Sequence, residues 1–320
     1  MTGPPPATAA VRVAVRRSLA GLAGPVAAAV SGGADSLALA AALAFERPGS
    51  LALVVDHGLQ TGSAAVAARA AEQCGGMRLQ AHVLTAPPAS RSSEDAQGSA
   101  AVDPPKILKG PEASARTARY AALDAAVSEH GLTAVLLGHT LDDQAETVLL
   151  GLARGAGARA LAGMTDRPPY LRPLLGLPRA TTGQACAEAG LDPWEDPHNR
   201  DPAYTRVRVR QRVLPVLEVE LGPGIAAALA RTAAQLREDV DALDALTPLT
   251  DDVATLAGLP AALRVRALKR WAEQQCGAAV TTAHLEALRA LVEDWRGQGP
   301  VALPGGQRVA RRGGRLASLP

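Results

Sequence analysis

Aromatic side chains are scarce in this sequence: one Phe, three Trp and three Tyr in 320 residues. Stacking of nucleobases on aromatic rings therefore has few candidates. Cysteine is scarce too. Cys74, Cys186 and Cys276 lie far apart and make no CxxC pair, which excludes the usual zinc, iron–sulfur and dithiol layouts. An odd, sparse set suits a reducing cytoplasm, the expected location. No apolar run approaches the roughly 18–20 residues of a membrane span. The Pro- and Ala-rich residues 1–10 lack the basic-then-apolar layout of a secretion signal. No membrane partner is expected. An excess of one charge is also missing. The net charge is +2, so a nucleic-acid partner has to be met by local basic patches.

What is abundant is alanine, which carries much of the 48% hydrophobic content. Helices form easily from such a sequence and its cores are lean. The length suits two domains. Apolar runs at 25–30, 51–55, 78–85 and 133–138 read as strands. Residues 36–46, 63–74, 112–130 and 141–154 read as helices. That alternation predicts an α/β fold with a doubly wound parallel sheet, Rossmann-like, over residues 1–215. Residues 86–111 are rich in Pro, Ser, Gly and Ala without an apolar period. They read as a flexible surface loop, as filler ahead of a lid. Pro and Gly cluster at 215–224. Beyond them, helical spacing over 225–246, 261–275 and 282–294 precedes short strands at 301–303, 308–310 and 315–317. This predicts a smaller, mainly helical second domain over 216–320.

Three stretches carry chemistry. The first strand runs into Ser31-Gly32-Gly33-Ala34-Asp35-Ser36 and then a helix. Glycines let backbone approach an anion, and the N–H groups and dipole of a helix start favour negative charge. The sequence has no GxxxxGK[ST], so this is not a Walker-type loop. Asp35, a carboxylate beside phosphates, makes chemical sense as a Mg²⁺ ligand. The next strand ends in Asp56-His57-Gly58-Leu59-Gln60, at the strand edge where open α/β sheets bind ligands. A third strand leads into Gly138-His139-Thr140-Leu141-Asp142-Asp143-Gln144-Ala145-Glu146-Thr147. At i,i+4 spacing His139 lies over Asp143, and Asp142 over Glu146. A capping box from Thr140 to Asp143 accounts for one or two of these acids, but not for His139 and Glu146. The cluster suits Mg²⁺, a substrate ammonium or proton transfer.

SGGADS resembles the SGGxDS loop of PP-loop ATP-pyrophosphatases, which cleave ATP between the α- and β-phosphates. DHGLQ and GHTLDDQAET resemble the DHxL(R/Q) and GHxxDDQxET motifs of the tRNA(Ile)-lysidine synthetase family within that group. Further segments are similar to the same family. They are residues 111–120 with Arg116 and Arg119, Arg154-Gly155-Ala156-Gly157, residues 161–164, Leu171-Arg172-Pro173-Leu174-Leu175, and the stretch from Asp196 and Asn199 through Tyr204, Arg206, Arg208 and Arg210 to Pro215. Val207 stands where the family form carries Asn. The alternation of Arg206, Arg208, Arg210 and Arg212 suggests a strand by period, whereas the resemblance implies a helix.

The resemblance implies ATP-dependent ligation of lysine to the wobble cytidine of isoleucine tRNA with a CAU anticodon, through an adenylated cytidine. ATP and Mg²⁺ would sit on residues 31–36, with Asp56, His57 and Gly138 lining the nucleotide and Asp35 and Asp143 on the metal. Arg116 would stabilise the reacting phosphate. Asp142, Asp143 and Glu146 would bind free L-lysine, and one of them or His139 would take its proton; the assignment among them stays open. Arg119, Arg154, Arg172, Asn199, Arg206, Arg208 and Arg210 are the expected tRNA contacts. The second domain would add Arg264, Arg266, Lys269 and Arg270. A homodimer is compatible with this reading. Two alternatives remain. One is another PP-loop tRNA-modifying or amidotransferase-type synthetase, disfavoured by the missing cysteine pair and the Arg-rich linker. The other is a non-catalytic nucleotide- or tRNA-binding protein, disfavoured by the four acids Asp35, Asp142, Asp143 and Glu146.

Overall fold

The computed structural model describes residues 3–56, 58, 62–85 and 111–319. His57 and nearly all of the loop expected at 86–111 lie outside them. The chain divides into two compact units, Met1–Ala234 and Gln235–Pro320.

The first unit opens with α1 (Pro6–Ser18), a helix that sequence pattern did not predict. Its start signal is Pro6 at the first helical position, where a missing N–H costs nothing. Then come β1 (Val26–Val30), α2 (Ala34–Glu46), β2 (Leu51–Asp56), α3 (Ser63–Gly76), β3 (Gln80–Thr85), α4 (Pro111–Glu129), β4 (Ala134–Leu137) and α5 (Leu141–Ala153). They agree with the expected elements to within two residues at each end. Strand β3 starts at Gln80 because Arg78 sits at φ 64° in a turn. A short α6 (Ala158–Leu161) and the two-residue β5 (Tyr170–Leu171) precede α7 (Arg179–Glu188); β5 is too short to leave a period-two signature.

Five parallel strands pair in the order β3-β2-β1-β4-β5. The chain therefore winds outward from β1 through β3 and returns to the other side of β1. The switch point lies between β1 and β4, and the loops after these two strands flank it. Side chains alternate across the sheet as its pleat requires. Val26, Ala28 and Val30 face a core shared with α1, α2, α3 and α7. Ala27, Leu53, Val135 and Leu137 face Leu123 and Ala126 of α4. Small Ala27 and Ala28, both buried, let the helices lie close on a lean core.

The basic stretch after residue 204 is helical, not a strand. It comprises α8 (Thr205–Arg208), a π-helical turn over Val209–Val213, and α9 (Leu214–Glu220). Val209 and Leu214 pack against Ala145 of α5. Four-residue spacing then puts Arg206 and Arg210 on one face, while Val207 is buried. Helix α10 (Ile225–Ala245) runs across the division between the units.

The second unit holds α11 (Val253–Gly258), α12 (Ala261–Cys276), α13 (Thr282–Glu293) and an antiparallel sheet of β6 (Val301–Ala302), β7 (Arg308–Arg312) and β8 (Arg315–Leu319). Its core gathers Leu256, Leu268, Trp271, Leu288, Leu291, Val309 and Leu316. Among the described residues, no single helix is long and apolar enough to cross a membrane.

Candidate active site

Both loops at the switch point are shaped by their backbones. Gly32 has φ +83°, a conformation L side chains rarely adopt. Gly33 caps α2 without a side chain, so the N–H groups of Ala34, Asp35 and Ser36 have no partner within the helix. The Ser36 hydroxyl donates to the Gly33 carbonyl at 2.8 Å and accepts from the Ser31 N–H at 3.2 Å, which closes the loop on itself. The result is a cradle for an anion at the start of a 13-residue helix. Across the switch point, Gly138 touches this loop. A Cβ there would lie 3.2 Å from the Ser36 N and Cα atoms.

Helix α5 brings its acids to the same crevice. The Thr140 N–H and hydroxyl both donate to Asp143 Oδ2, at 2.9 and 3.0 Å. The expected cap thus exists, and it occupies only one oxygen of Asp143. Asp143 Oδ1 faces Arg179 Nη2 at 2.7 Å, Arg210 Nη2 at 3.5 Å and Arg206 Nη2 at 3.9 Å. Glu146 is completely buried, with 0% side-chain exposure, and holds Arg206 and Arg210 closely and Arg179 at 3.4 Å. Arg210 Nε donates to its Oε1 and Arg206 Nε to its Oε2, each at 2.7 Å. Asp142 Oδ2 accepts the Arg179 backbone N–H at 2.7 Å. Arg206 and Arg210 were expected on tRNA; here their guanidiniums are committed to Glu146. Arg208, also expected on tRNA, is tied to its own loop through the Pro202 and Ala203 carbonyls, at 2.7 and 2.8 Å.

Sequence reasoning missed Arg179 and Thr182, and both matter here. Arg179 reaches Asp143, Glu146 at 3.4 Å and, through Nε, Asp35 at 3.6 Å. The Thr182 hydroxyl donates to Asp35 Oδ1. One turn of α7 therefore ties the loop after β1 to the helix after β4. One signal was available. An arginine in the first turn of a helix opposes the helix dipole, so it needs a reason elsewhere.

The electrostatics follow from burial and pairing. Burial pushes the Asp35 carboxyl above its ordinary range, despite Thr182 and Arg179. Burial acts the same way on Asp143, but Arg179, Arg206 and the Thr140 N–H outweigh it and hold Asp143 low. Burial opposes the charge on Arg179, yet Asp143, Glu146 and Asp35 raise its pKa. His139 is pushed down to about 3, first by burial and then by Arg172, Arg116 and Arg206, against the pull of Asp143. Its Nδ1 is shielded from solvent without a hydrogen-bond partner. A neutral imidazole of that pKa is a weak base for an ammonium.

A second group of arginines gathers on Tyr120 of α4. Arg116 Nη2 and Arg172 Nη2 approach its hydroxyl at 3.5 and 3.4 Å, and the Arg116 guanidinium lies 5.1 Å from the ring centre. Tyr120 itself packs edge-on against Tyr170. Arg119, Arg154 and Asn199 are exposed. Asp56 stands at the end of β2 and accepts from the Gly58 N–H at 3.0 Å. Gln144, inside the DDQ run, clamps the backbone of Met164 with bonds of 2.8 and 3.0 Å. In the second unit, the four cations expected to face tRNA have internal partners. Arg264 serves the Leu256 and Leu259 carbonyls, Arg266 pairs with Asp244, Arg270 with the Asp244 and Thr247 carbonyls, and Lys269 with Glu273. Arg308 and Arg312 of β7 are exposed instead.

A PP-loop domain family matches residues 18–217, and the TilS substrate binding domain matches residues 252–317. A tRNA(Ile)-lysidine synthase from Thermobifida fusca (strain YX) is 51% identical over 335 residues, covering 99% of this chain and 98% of its own. That of Leifsonia xyli subsp. xyli (strain CTCB07) is 51% identical, covering 91% and 88%. The Streptomyces coelicolor protein of the same name is 44% identical, covering 98% of each. Among solved structures, the U34-tRNA thiolase NcsA from Methanococcus maripaludis, with its [4Fe-4S] cluster, aligns with a TM-score of 0.57. Its identity is 20%, over 72% of this chain and 80% of that one. That likeness is one of fold.

Proposed function

The chain belongs to the tRNA(Ile)-lysidine synthase family, and we propose from its side-chain arrangement how it carries out that family's reaction. It is an ATP-dependent ligase that forms a carbon–nitrogen bond and makes lysidine on isoleucine tRNA. The carrying observation is that Asp35, beside the anion cradle, and the acids of α5 meet at one switch point.

The loop N–H groups of Ala34, Asp35 and Ser36 bind the ATP phosphates, and Gly138 allows the two loops to touch there. The cytosine keto oxygen attacks the α-phosphorus, and pyrophosphate departs from it. Arg116, with Arg172 beside it on Tyr120, meets the negative charge that grows on the phosphoryl oxygens. The lysine side-chain amine then attacks the activated ring carbon. The carbon–oxygen bond breaks, AMP leaves, and the amine gives up a proton.

Asp142 is the acid best placed for the lysine amines. Among the described residues it carries no guanidinium ion pair, only the Arg179 N–H. Glu146 is closed off by Arg206 and Arg210, so it frames the site. Asp35 suits Mg²⁺, because it is a carboxylate at the helix start that forms the anion cradle, where phosphate oxygens would complete the metal's shell. Mg²⁺ takes one or two protein carboxylates together with phosphate oxygens. Accordingly, a cage of three metal-ligating side chains is not needed, and none occurs among the described residues. Bound there, Mg²⁺ would neutralise phosphate charge. Asp143, already shared by Thr140 and Arg179, is the weaker candidate for a second ligand. Exposed Arg119, Arg154 and Asn199 are the proposed tRNA contacts of the first unit. Arg308 and Arg312 are those of the second, which takes the tRNA body.

The test is transfer of AMP from α-labelled ATP to CAU-anticodon isoleucine tRNA with lysine left out. Label on the tRNA that is released as AMP when lysine is added supports this order of steps. Label that never reaches the tRNA, while ATP is still cleaved to AMP and pyrophosphate, refutes it.

A further inference from the structure

The crevice contains four carboxylates, Asp35, Asp142, Asp143 and Glu146, and an ATP triphosphate has to approach them. Three guanidiniums stand among the acids. Two of them, Arg206 and Arg210, grip Glu146 at 2.7 Å and lie beside Asp143, all on the α5 side. Arg179 alone touches both sides of the switch point, reaching Asp35 on the nucleotide loop and Asp143 and Glu146 on α5. Its position is fixed from behind, because its own N–H is bonded to Asp142 and Thr182, one turn on, holds Asp35. It is half-buried, at 28% side-chain exposure, where charge is screened less than at the surface. With Arg179 the formal charge of these seven groups is −1. Without it the charge is −2, next to the cradle that must receive the phosphates.

We propose that Arg179 is a positioning residue and built-in counter-ion, which neutralises Asp35 and Asp143 so that the triphosphate can enter and which locks the nucleotide loop to the acidic helix. This rests on the proposed placement of ATP on residues 31–36. A divalent ion delivered with ATP does part of the same electrostatic work. Arg179 therefore matters most to ATP when such an ion is absent.

The experiment is direct ATP binding by equilibrium dialysis, with excess Mg²⁺ and with EDTA, and needs no turnover. Arg179→Gln should weaken metal-free binding by about tenfold or more, the order expected for one unit charge a few ångströms away in a partly screened site. In excess Mg²⁺ the loss should stay within roughly threefold, since the metal supplies the missing charge. Arg179→Lys keeps the charge and should bind metal-free ATP nearly as the parent does. Its AMP-forming rate should fall, because an ammonium cannot span Asp35, Asp143 and Glu146 as the fork does. Adding Asp143→Asn to Arg179→Gln restores the residual charge of −1 and should recover metal-free binding. This double variant applies the same criterion if the single one fails to fold by circular dichroism. Equal losses with and without Mg²⁺, or Lys and Gln variants that behave alike, would overturn the proposal. Failure of the parent protein to bind ATP at all would instead overturn the functional reading beneath it.

Discussion

Single residues in this site divide sharply between those that can react and those that hold others in place. Glu146 is the clearest of the second kind. It lies in the same motif as Asp142 and Asp143, and its residue type alone suggests chemistry. Yet it has no exposed surface, and three arginines claim its oxygens, Arg206 and Arg210 most closely. Removing one partner of a buried ion pair leaves the other charge uncompensated and typically costs about 3–5 kcal/mol. Glu146→Gln removes the closest anion of Arg206 and Arg210 and leaves them only the more distant Asp143. It should lower unfolding free energy by roughly 3 kcal/mol, seen as an earlier urea midpoint at unchanged slope. A midpoint equal to the parent's would show that the pairing is incidental. His139 is perturbed in another way. With its pKa near 3 it stays neutral at physiological pH, so it contributes a dipole to the site rather than a charge.

At the level of elements, the site is three helix starts brought together by the sheet. Helices α2 and α5 are legible in the sequence, because each follows an apolar strand and opens on a motif. Their meeting is legible too, once the strands are read as parallel. Helix α7 is not. Its sequence, RATTGQACAE, has almost no apolar period, and its partners lie 36 and 147 positions away. Pattern carries no information about such distant pairs. The alternating arginines after residue 204 failed for a related reason: a period of two in charge mimics a strand, but the buried Val207, Val209 and Leu214 set the structure. The acids and the anion loop could be named from sequence, whereas the arginines that balance them needed the fold. Contact between the loops can be tested at Gly138. A methyl group there meets backbone of Ser36 at 3.2 Å, which has no flexible end to give way. Gly138→Ala should raise the KM for ATP by about tenfold, the equivalent of ~1.4 kcal/mol, while leaving the KM for tRNA unchanged. An unaltered KM for ATP would mean that the two loops are not coupled.

Taken as a whole, the molecule carries its chemistry in the first unit and exposed arginines in both. The first unit holds all the acids of the crevice. In the second, most of the arginines on α12 have internal roles, and β7 keeps Arg308 and Arg312 exposed. Few aromatic residues are available to stack on bases, and of the three Trp residues Trp271 is buried in a core. Recognition of tRNA then has to rest largely on arginines meeting phosphates and base edges. Activation of the tRNA and capture of lysine should then be one reaction sequence in one crevice. The most direct measurement is joint counting of AMP released and radiolabelled lysine retained on CAU-anticodon isoleucine tRNA. One lysine retained per AMP, with neither formed when tRNA is omitted, is the predicted result. AMP released in step with tRNA but without lysine on it would contradict the account.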